Sequence, residues 1–254
     1  MFFSKRQLPK IVNWVLVLSI LSASAALAQC PSSDKVQEGF RKTFGRDVKV
    51  LKVEASAIPS LCEVQMNLGG RNEIMYSDPE GKFFVMGPLF DVQKGVNLTE
   101  QALALLNRLS EQDMKQLESF VAFSSGTSEK AVYYVTDPEC PYCTKGMETL
   151  KKLIGEGKLT VKFVLYPLPM HKEAEAQCVA IICDKKGLEG LESKYRSENQ
   201  CAEGQEKVRS TVAFLKGKSI SGTPTYIFPD GIYHVGLMPP EALLGEQGSA
   251  KSPE

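Results

Sequence analysis

A β-strand that runs into a helix through Cys-x-x-Cys admits few folds and one dominant chemistry. Here the stretch is Asp137-Pro138-Glu139-Cys140-Pro141-Tyr142-Cys143, set between the β-rich run 131–136 and the helical run 143–154. A helix N-terminus offers unpaired N–H groups and the positive end of the helix dipole, and both favour an anion. The thiolate is the reactive form of cysteine, and this position lowers a thiol pKa. The spacing therefore predicts Cys140 as an exposed nucleophile and Cys143, one turn further in, as the resolving thiol. Pro141 suits the first turn, where its missing N–H would be unpaired anyway. Two other uses of the pair are weighed. A zinc site needs a second ligand pair at matched spacing, and only Cys178 and Cys183, spaced C-x4-C, with His171 and His234 are on offer, a poor ligand set. An inert disulfide across so short a loop gains little closure entropy.

A second element supports a redox reading. Ser221-Gly222-Thr223-Pro224-Thr225 precedes the apolar run 226–228 and a turn at Asp230-Gly231. Cys140-Pro141-Tyr142-Cys143 followed far downstream by Gly222-Thr223-Pro224 resembles the active site of thioredoxin-fold proteins. That resemblance implies a cis proline facing the cysteine pair, with Thr223 contacting an extended substrate and Pro224 shaping the groove. An ordinary trans proline opening an edge strand is the alternative for Pro224.

Export is written at the N-terminus. Lys5, Arg6 and Lys10 precede the apolar run 11–21, and small residues lead to Ala26-Leu27-Ala28. A positive n-region, an h-region and an A-x-A site predict a signal peptide over 1–28, cleaved after Ala28. An uncleaved anchor and a lipoprotein at Cys30 are the rivals; the apolar run is short for a span, and Gln29 rather than a small residue precedes Cys30. Seven cysteines fit an oxidising compartment, and a bacterial periplasm is the expected location. The 30 acidic and 30 basic residues balance, so no basic excess points to nucleic acid.

From 29 to 96 the chain reads as a helix followed by a small antiparallel sheet. Ser32 or Ser33 is placed to cap the helix, Val36, Phe40 and Phe44 recur on one face, and Gly45 is placed to end it. Strand-like runs follow at 48–57 and 62–68, and a hairpin turns at Ser77-Asp78-Pro79-Glu80-Gly81. Cys30 and Cys62 are the only cysteines of this module, and an oxidising compartment predicts a bridge between them. Residues 97–127 read as a linker helix and hinge. Thr99 is the expected cap, and Leu103, Leu106, Leu109, Leu117 and Phe120 form one stripe to about residue 120. A helix packed wholly within one domain is the reading that periodicity leaves open. Residues 128–245 form the redox domain: strand, helix, strand at 159–165, a mostly helical stretch 170–218, then a hairpin and a short last helix. Residues 246–254 are a polar tail.

With both halves in view, the chain resembles the DsbC/DsbG family of periplasmic disulfide isomerases. The likeness spans the small N-terminal module, the linker, C-P-Y-C and Thr223-Pro224, and extends to Gly87-Pro88-Leu89-Phe90-Asp91-Val92. It implies an α+β chain with a small dimerisation module, a linker and a thioredoxin fold carrying a helical insert. It implies a V-shaped homodimer with an apolar cleft, misoxidised exported proteins as clients, and a DsbD-type membrane reductase as electron donor. The activity implied is that of a thiol:disulfide isomerase or oxidoreductase, with no cofactor and no metal. Catalysis falls to Cys140 and Cys143, and substrate contact to Pro141, Tyr142, Thr223 and Pro224. Cys183 and Cys201 fit the place of a second family disulfide, and Cys178 then has no evident partner: it is a buried thiol or a competitor of Cys183 for Cys201. A thiol oxidase on the same scaffold is the nearest rival; a chaperone or a copper-binding protein using Cys140 and Cys143 is the rival from another class.

Overall fold

The computed structural model describes residues 30–245. The predicted signal peptide and the polar tail 246–254 lie outside the described residues.

Helix α1 (Ser33–Phe44) starts where the Ser32 side chain accepts the Lys35 N–H, and it ends at Gly45 with φ 64°. Glycine reaches that left-handed conformation without a Cβ penalty. Val36 and Phe40, one turn apart, are buried. They pack on Val48, Val50, Val64, Met66 and Met75 of a four-stranded antiparallel sheet: β1 (Lys49–Ala55), β2 (Cys62–Leu68), β3 (Arg71–Ser77) and β4 (Phe84–Val85), in that order. Alternation along β2 sends Val64 and Met66 inward. A Cys30–Cys62 disulfide ties the entry of α1 to the head of β2. In the β3–β4 turn the Asp78 carboxylate accepts N–H groups of Glu80, Lys82 and Phe83, the local bonding that makes Asp a turn residue.

A small pair, β5 (Phe90–Asp91) with β6 (Val96–Asn97), leads to α2 (Leu98–Leu106) and α3 (Glu111–Ser119). The sequence suggested one spacer helix over this stretch, and the structure corrects it. Asn97, not Thr99, caps α2. The Thr99 hydroxyl pairs with Tyr76 Oη at 2.6 Å and accepts Leu89 N–H. The helix breaks at 107–110 because Ser110 and Asp113 form a reciprocal capping box that starts a new helix. Leu109 N–H at the break is taken by Gly231 O at 2.9 Å. Leu109, Leu117 and Phe120 then join Tyr133, Val135, Val164 and Phe214 in one core. The expected hinge is also part of the fold: β7 (Phe123–Ser125) pairs antiparallel with β9 (Thr160–Leu165). Gly126 follows at φ 104°, where an added Cβ would sit 2.4 Å from Leu159 O.

The second sheet has the order β11-β10-β8-β9-β7. Its centre is β8 (Ala131–Thr136), parallel to β9 (Thr160–Leu165) through the crossover helix α4 (Pro141–Gly155). After β9 come α5 (Ala174–Cys183), α6 (Gly187–Glu192) and α7 (Ala202–Gly217). Then β10 (Thr225–Ile227) returns antiparallel to β8, β11 (Tyr233–Val235) closes a hairpin with it, and α8 (Pro240–Leu243) ends the described chain. Both sheet faces are covered. Val132, Tyr134 and Phe163 face α4 residues Met147 and Leu150, while Tyr133, Val135 and Val164 face α3 and α7. A parallel βαβ unit plus an antiparallel hairpin is a thioredoxin fold, and α5–α7 are its helical insert.

Candidate active site

Cys140 is the N-cap of α4: its Sγ accepts the Cys143 N–H at 3.4 Å. Strand β8 delivers it there, and Pro141 follows at the first helical position. From the other side the Thr223 carbonyl oxygen lies 3.5 Å from the same sulfur, on the loop where Thr223-Pro224 is a cis peptide bond. The loop entering β10 and the helix-start loop of β8 therefore close on one sulfur because β10 pairs with β8, Thr225 opposite Val135.

One expectation is corrected. Cys140 is not openly exposed; the residue is only 4% accessible, because the 222–224 loop lies against it. What stands out to solvent at this end of α4 is Pro141 with Tyr142, the latter 63% exposed.

Cys143 is deeper. Burial pushes its thiol up to about 12, against the pull of the Thr223 hydroxyl, the Asp137 backbone and the Thr136 hydroxyl around it. Tyr134 Oη donates to the Cys143 carbonyl at 2.8 Å. Gly146 makes room for this: an added Cβ would sit 2.6 Å from Tyr226 Oη and 2.7 Å from Tyr134 Oη. Burial also raises the phenol of Tyr226 to about 12 and that of Tyr134 further. Both cysteines are free thiols.

The two carboxylates beside Cys140 are each held by the segment after β9. Asp137 is fully buried; its Oδ1 accepts Glu139 N–H at 2.7 Å, and its Oδ2 faces Leu168 N at 2.6 Å and His171 Nδ1 at 2.8 Å. Glu139 is held below the usual carboxylate range by hydrogen bonds from Gln177 and Lys194, with Arg196 close by. Cys183 and Cys201 form a disulfide, Sγ–Sγ 2.02 Å, that closes the loop bearing Lys194 and Arg196. Cys178 is a fully buried free thiol, raised by that burial. With Cys183 bonded to Cys201 and Cys178 enclosed, the C-x4-C pair is not available as a second half of a zinc site. His234, the other histidine weighed, lies in the hairpin strand β11.

Cys140, Pro141, Tyr142, Cys143, Thr223 and Pro224 meet at one place, as their motifs imply. Asp137 with His171, and Tyr134 with Gly146 beneath the helix, are additions that no motif announces. The only local signal was a carboxylate immediately after a buried strand; the partner, 34 residues on, has none.

Comparison with known proteins finds two family matches along the chain. The disulfide bond isomerase protein N-terminal domain matches residues 27–100, and the thioredoxin-like domain matches residues 121–247, half the chain. A probable thiol:disulfide interchange protein DsbC of Bordetella avium is 27% identical over 84% of this chain and 74% of its own. The DsbC of Escherichia coli K12 is 23% identical over 90% and 92%. The solved structure of Helicobacter pylori DsbG covers 77% of this chain and 99% of its own at TM-score 0.36 and 18% identity, too distant a superposition to carry an argument. Among the described residues no helix is long and apolar enough to cross a membrane. A thioredoxin-like domain with the Cys140–Cys143 pair at its helix start, behind a DsbC-type N-terminal domain, places this chain in the DsbC/DsbG family of thiol:disulfide interchange proteins.

Proposed function

We propose that this chain is a disulfide isomerase of the periplasm, correcting wrong disulfides in exported proteins with Cys140 as the nucleophile. The observation that carries the reading is the setting of the Cys140 sulfur, at the cap of α4 and 3.5 Å from Thr223 O. A client chain lying along the 222–224 loop brings its disulfide to that sulfur. Pro141, Tyr142, Thr223 and Pro224 form the contact surface.

The Cys140 thiolate attacks one sulfur of a client disulfide. The client S–S bond breaks, a Cys140–client mixed disulfide forms, and the other client sulfur leaves as thiolate. In isomerisation, a different client thiolate attacks the client sulfur of the mixed disulfide. Cys140 leaves as thiolate, the client has a new pairing, and no electrons are gained or lost. In the reductive exit, Cys143 loses its proton and attacks Cys140 Sγ. The client leaves as a dithiol, and a Cys140–Cys143 disulfide remains for a DsbD-type dithiol reductase to reduce. High thiol pKa at Cys143 slows this exit and favours isomerisation, since a protonated thiol does not attack. The N-terminal module, 29–96, is the dimerising unit; Phe83, Val85, Met86 and Phe90, all more than half exposed at its outer edge, are the surface that a second copy covers.

The test is refolding of a scrambled multi-disulfide protein by the reduced enzyme, beside Cys140→Ser. Recovery of native pairing that depends on Cys140 supports the isomerase. Absence of recovery, with fast oxidation of a reduced client by the oxidised form, makes the chain an oxidase.

A further inference from the structure

The active-site loop carries two carboxylates within three residues of the nucleophile, Asp137 and Glu139. A negative charge beside a cysteine opposes the thiolate. Glu139 is compensated by cations, Lys194 Nζ at 3.0 Å and Arg196 at 3.9 Å. Asp137 has none of these. Its side chain is buried completely, and a buried carboxylate is held by the donors it collects.

Those donors are disposed unequally. Oδ1 takes a backbone N–H of the catalytic loop itself, Glu139 N. Oδ2 takes Leu168 N–H and faces His171 Nδ1. A carboxylate oxygen only accepts, so the imidazole is the donor at Nδ1. The histidine is well anchored: its N–H bonds Leu168 O at 3.0 Å and its carbonyl accepts Ala174 N–H at 3.1 Å. The carboxylate thus bridges the loop before Cys140 and the turn before α5. The same residue also holds the nucleophile's backbone: Asp137 O accepts Cys140 N–H at 3.1 Å. His171 is the side-chain donor that completes the set.

We infer that His171 is a positioning residue for thiol–disulfide exchange: by donating to Asp137 it offsets the buried carboxylate and fixes the loop that sets Cys140. It touches neither sulfur nor client and acts only through Asp137. The inference rests on Cys140 being the attacking sulfur. Its sign follows from charge. Without the imidazole, the Asp137 carboxylate stands less compensated in a medium of low polarity, and that disfavours an adjacent thiolate.

The experiment compares wild type, His171→Ala and His171→Asn in the full chain. It measures the rate of Cys140 alkylation by iodoacetamide at pH 6.5 and the equilibrium of the cysteine pair with glutathione. Asparagine keeps a side-chain N–H donor at short reach. In His171→Ala the alkylation rate is expected to fall by about threefold or more, and the glutathione equilibrium to shift toward the Cys140–Cys143 disulfide by a similar factor. His171→Asn is expected within about twofold of wild type. A purely structural histidine would lower the melting temperature of His171→Ala and leave the rate and the equilibrium of the folded protein unchanged; that result overturns the inference. So does His171→Asn behaving as His171→Ala, because the donor would then not be what matters. If wild type is alkylated first at Cys143, the nucleophile assignment falls and this inference with it; if it is alkylated first at Cys140 and His171→Ala is indistinguishable, the inference alone falls.

Discussion

The sulfur of Cys140 and the carbonyl oxygen of Thr223 lie 3.5 Å apart across 83 residues of chain. The contact covers most of Cys140, which keeps 4% of its surface accessible at the helix start, and Cys143 sits behind it with its thiol pushed up by burial. Iodoacetamide at pH 7 should therefore label Cys140 about tenfold or more faster than Cys143, since thiolate fraction sets the rate. Peptide mapping of briefly labelled, reduced protein reads the order, and labelling of Cys143 first would reverse the assigned roles.

The raised Cys143 thiol also predicts how reduced protein responds to alkali. Its proton is held more tightly in the folded chain than at the ordinary value of 9.0. The folded state then binds more protons than the unfolded one between about pH 9 and 12, so stability is full below that window and falls as pH rises through it. One such thiol accounts for about 1.4 kcal/mol per pH unit. Urea midpoints of reduced wild type and Cys143→Ser at pH 8.5 and 10 should show the smaller loss in the variant.

Gly146 is required by two phenols. A methyl group there meets Tyr226 Oη at 2.6 Å and Tyr134 Oη at 2.7 Å, and the latter is tied to Cys143 O. Gly146→Ala should destabilise the fold by about 1–3 kcal/mol, as overpacking of a core does. An unchanged urea midpoint would show that the tyrosines move aside freely.

The Cys183–Cys201 bridge joins residues 18 apart, and a loop of that length is worth about 3 kcal/mol in the chain-entropy account. Cys183→Ala/Cys201→Ala should lose roughly that much stability. Because the same loop carries Lys194 and Arg196 to Glu139, the variant should also show a lower Cys140 alkylation rate at pH 6.5. Loss of stability with an unchanged rate would confine the bridge to a structural role.

The segment before β8 makes a prediction about truncation. Leu109, Leu117 and Phe120 belong to the core under β8 and β9, and β7 is an edge of that sheet. A fragment from Arg108 onward should fold as a monomer with redox activity. One from Ser128 onward should be markedly less stable, and equal melting temperatures for the two would contradict the packing described.

The sequence by itself determined what short-range chemistry decides. The C-x-x-C pair at a strand-to-helix junction, a cap at Ser32 or Ser33, the Val36/Phe40 stripe of α1 and the Asp78 turn are carried by residues whose neighbours or spacing state the outcome; Cys30 with Cys62, 32 residues apart, follows from these being the only two cysteines of their module. The Cys183–Cys201 pairing was reached through family resemblance, because three cysteines in the insert left the partner open. Only the tertiary structure decided the break at 107–110, where a new capping box and a contact to Gly231 outweigh a continuous apolar stripe. Only it decided that Cys140 is covered, since the cover is a loop that arrives when β10 pairs with β8. The Asp137–His171 bond has the same origin. A fully buried carboxylate takes whichever donors the packed chain brings to it, and a donor 34 residues away leaves no mark on the local sequence.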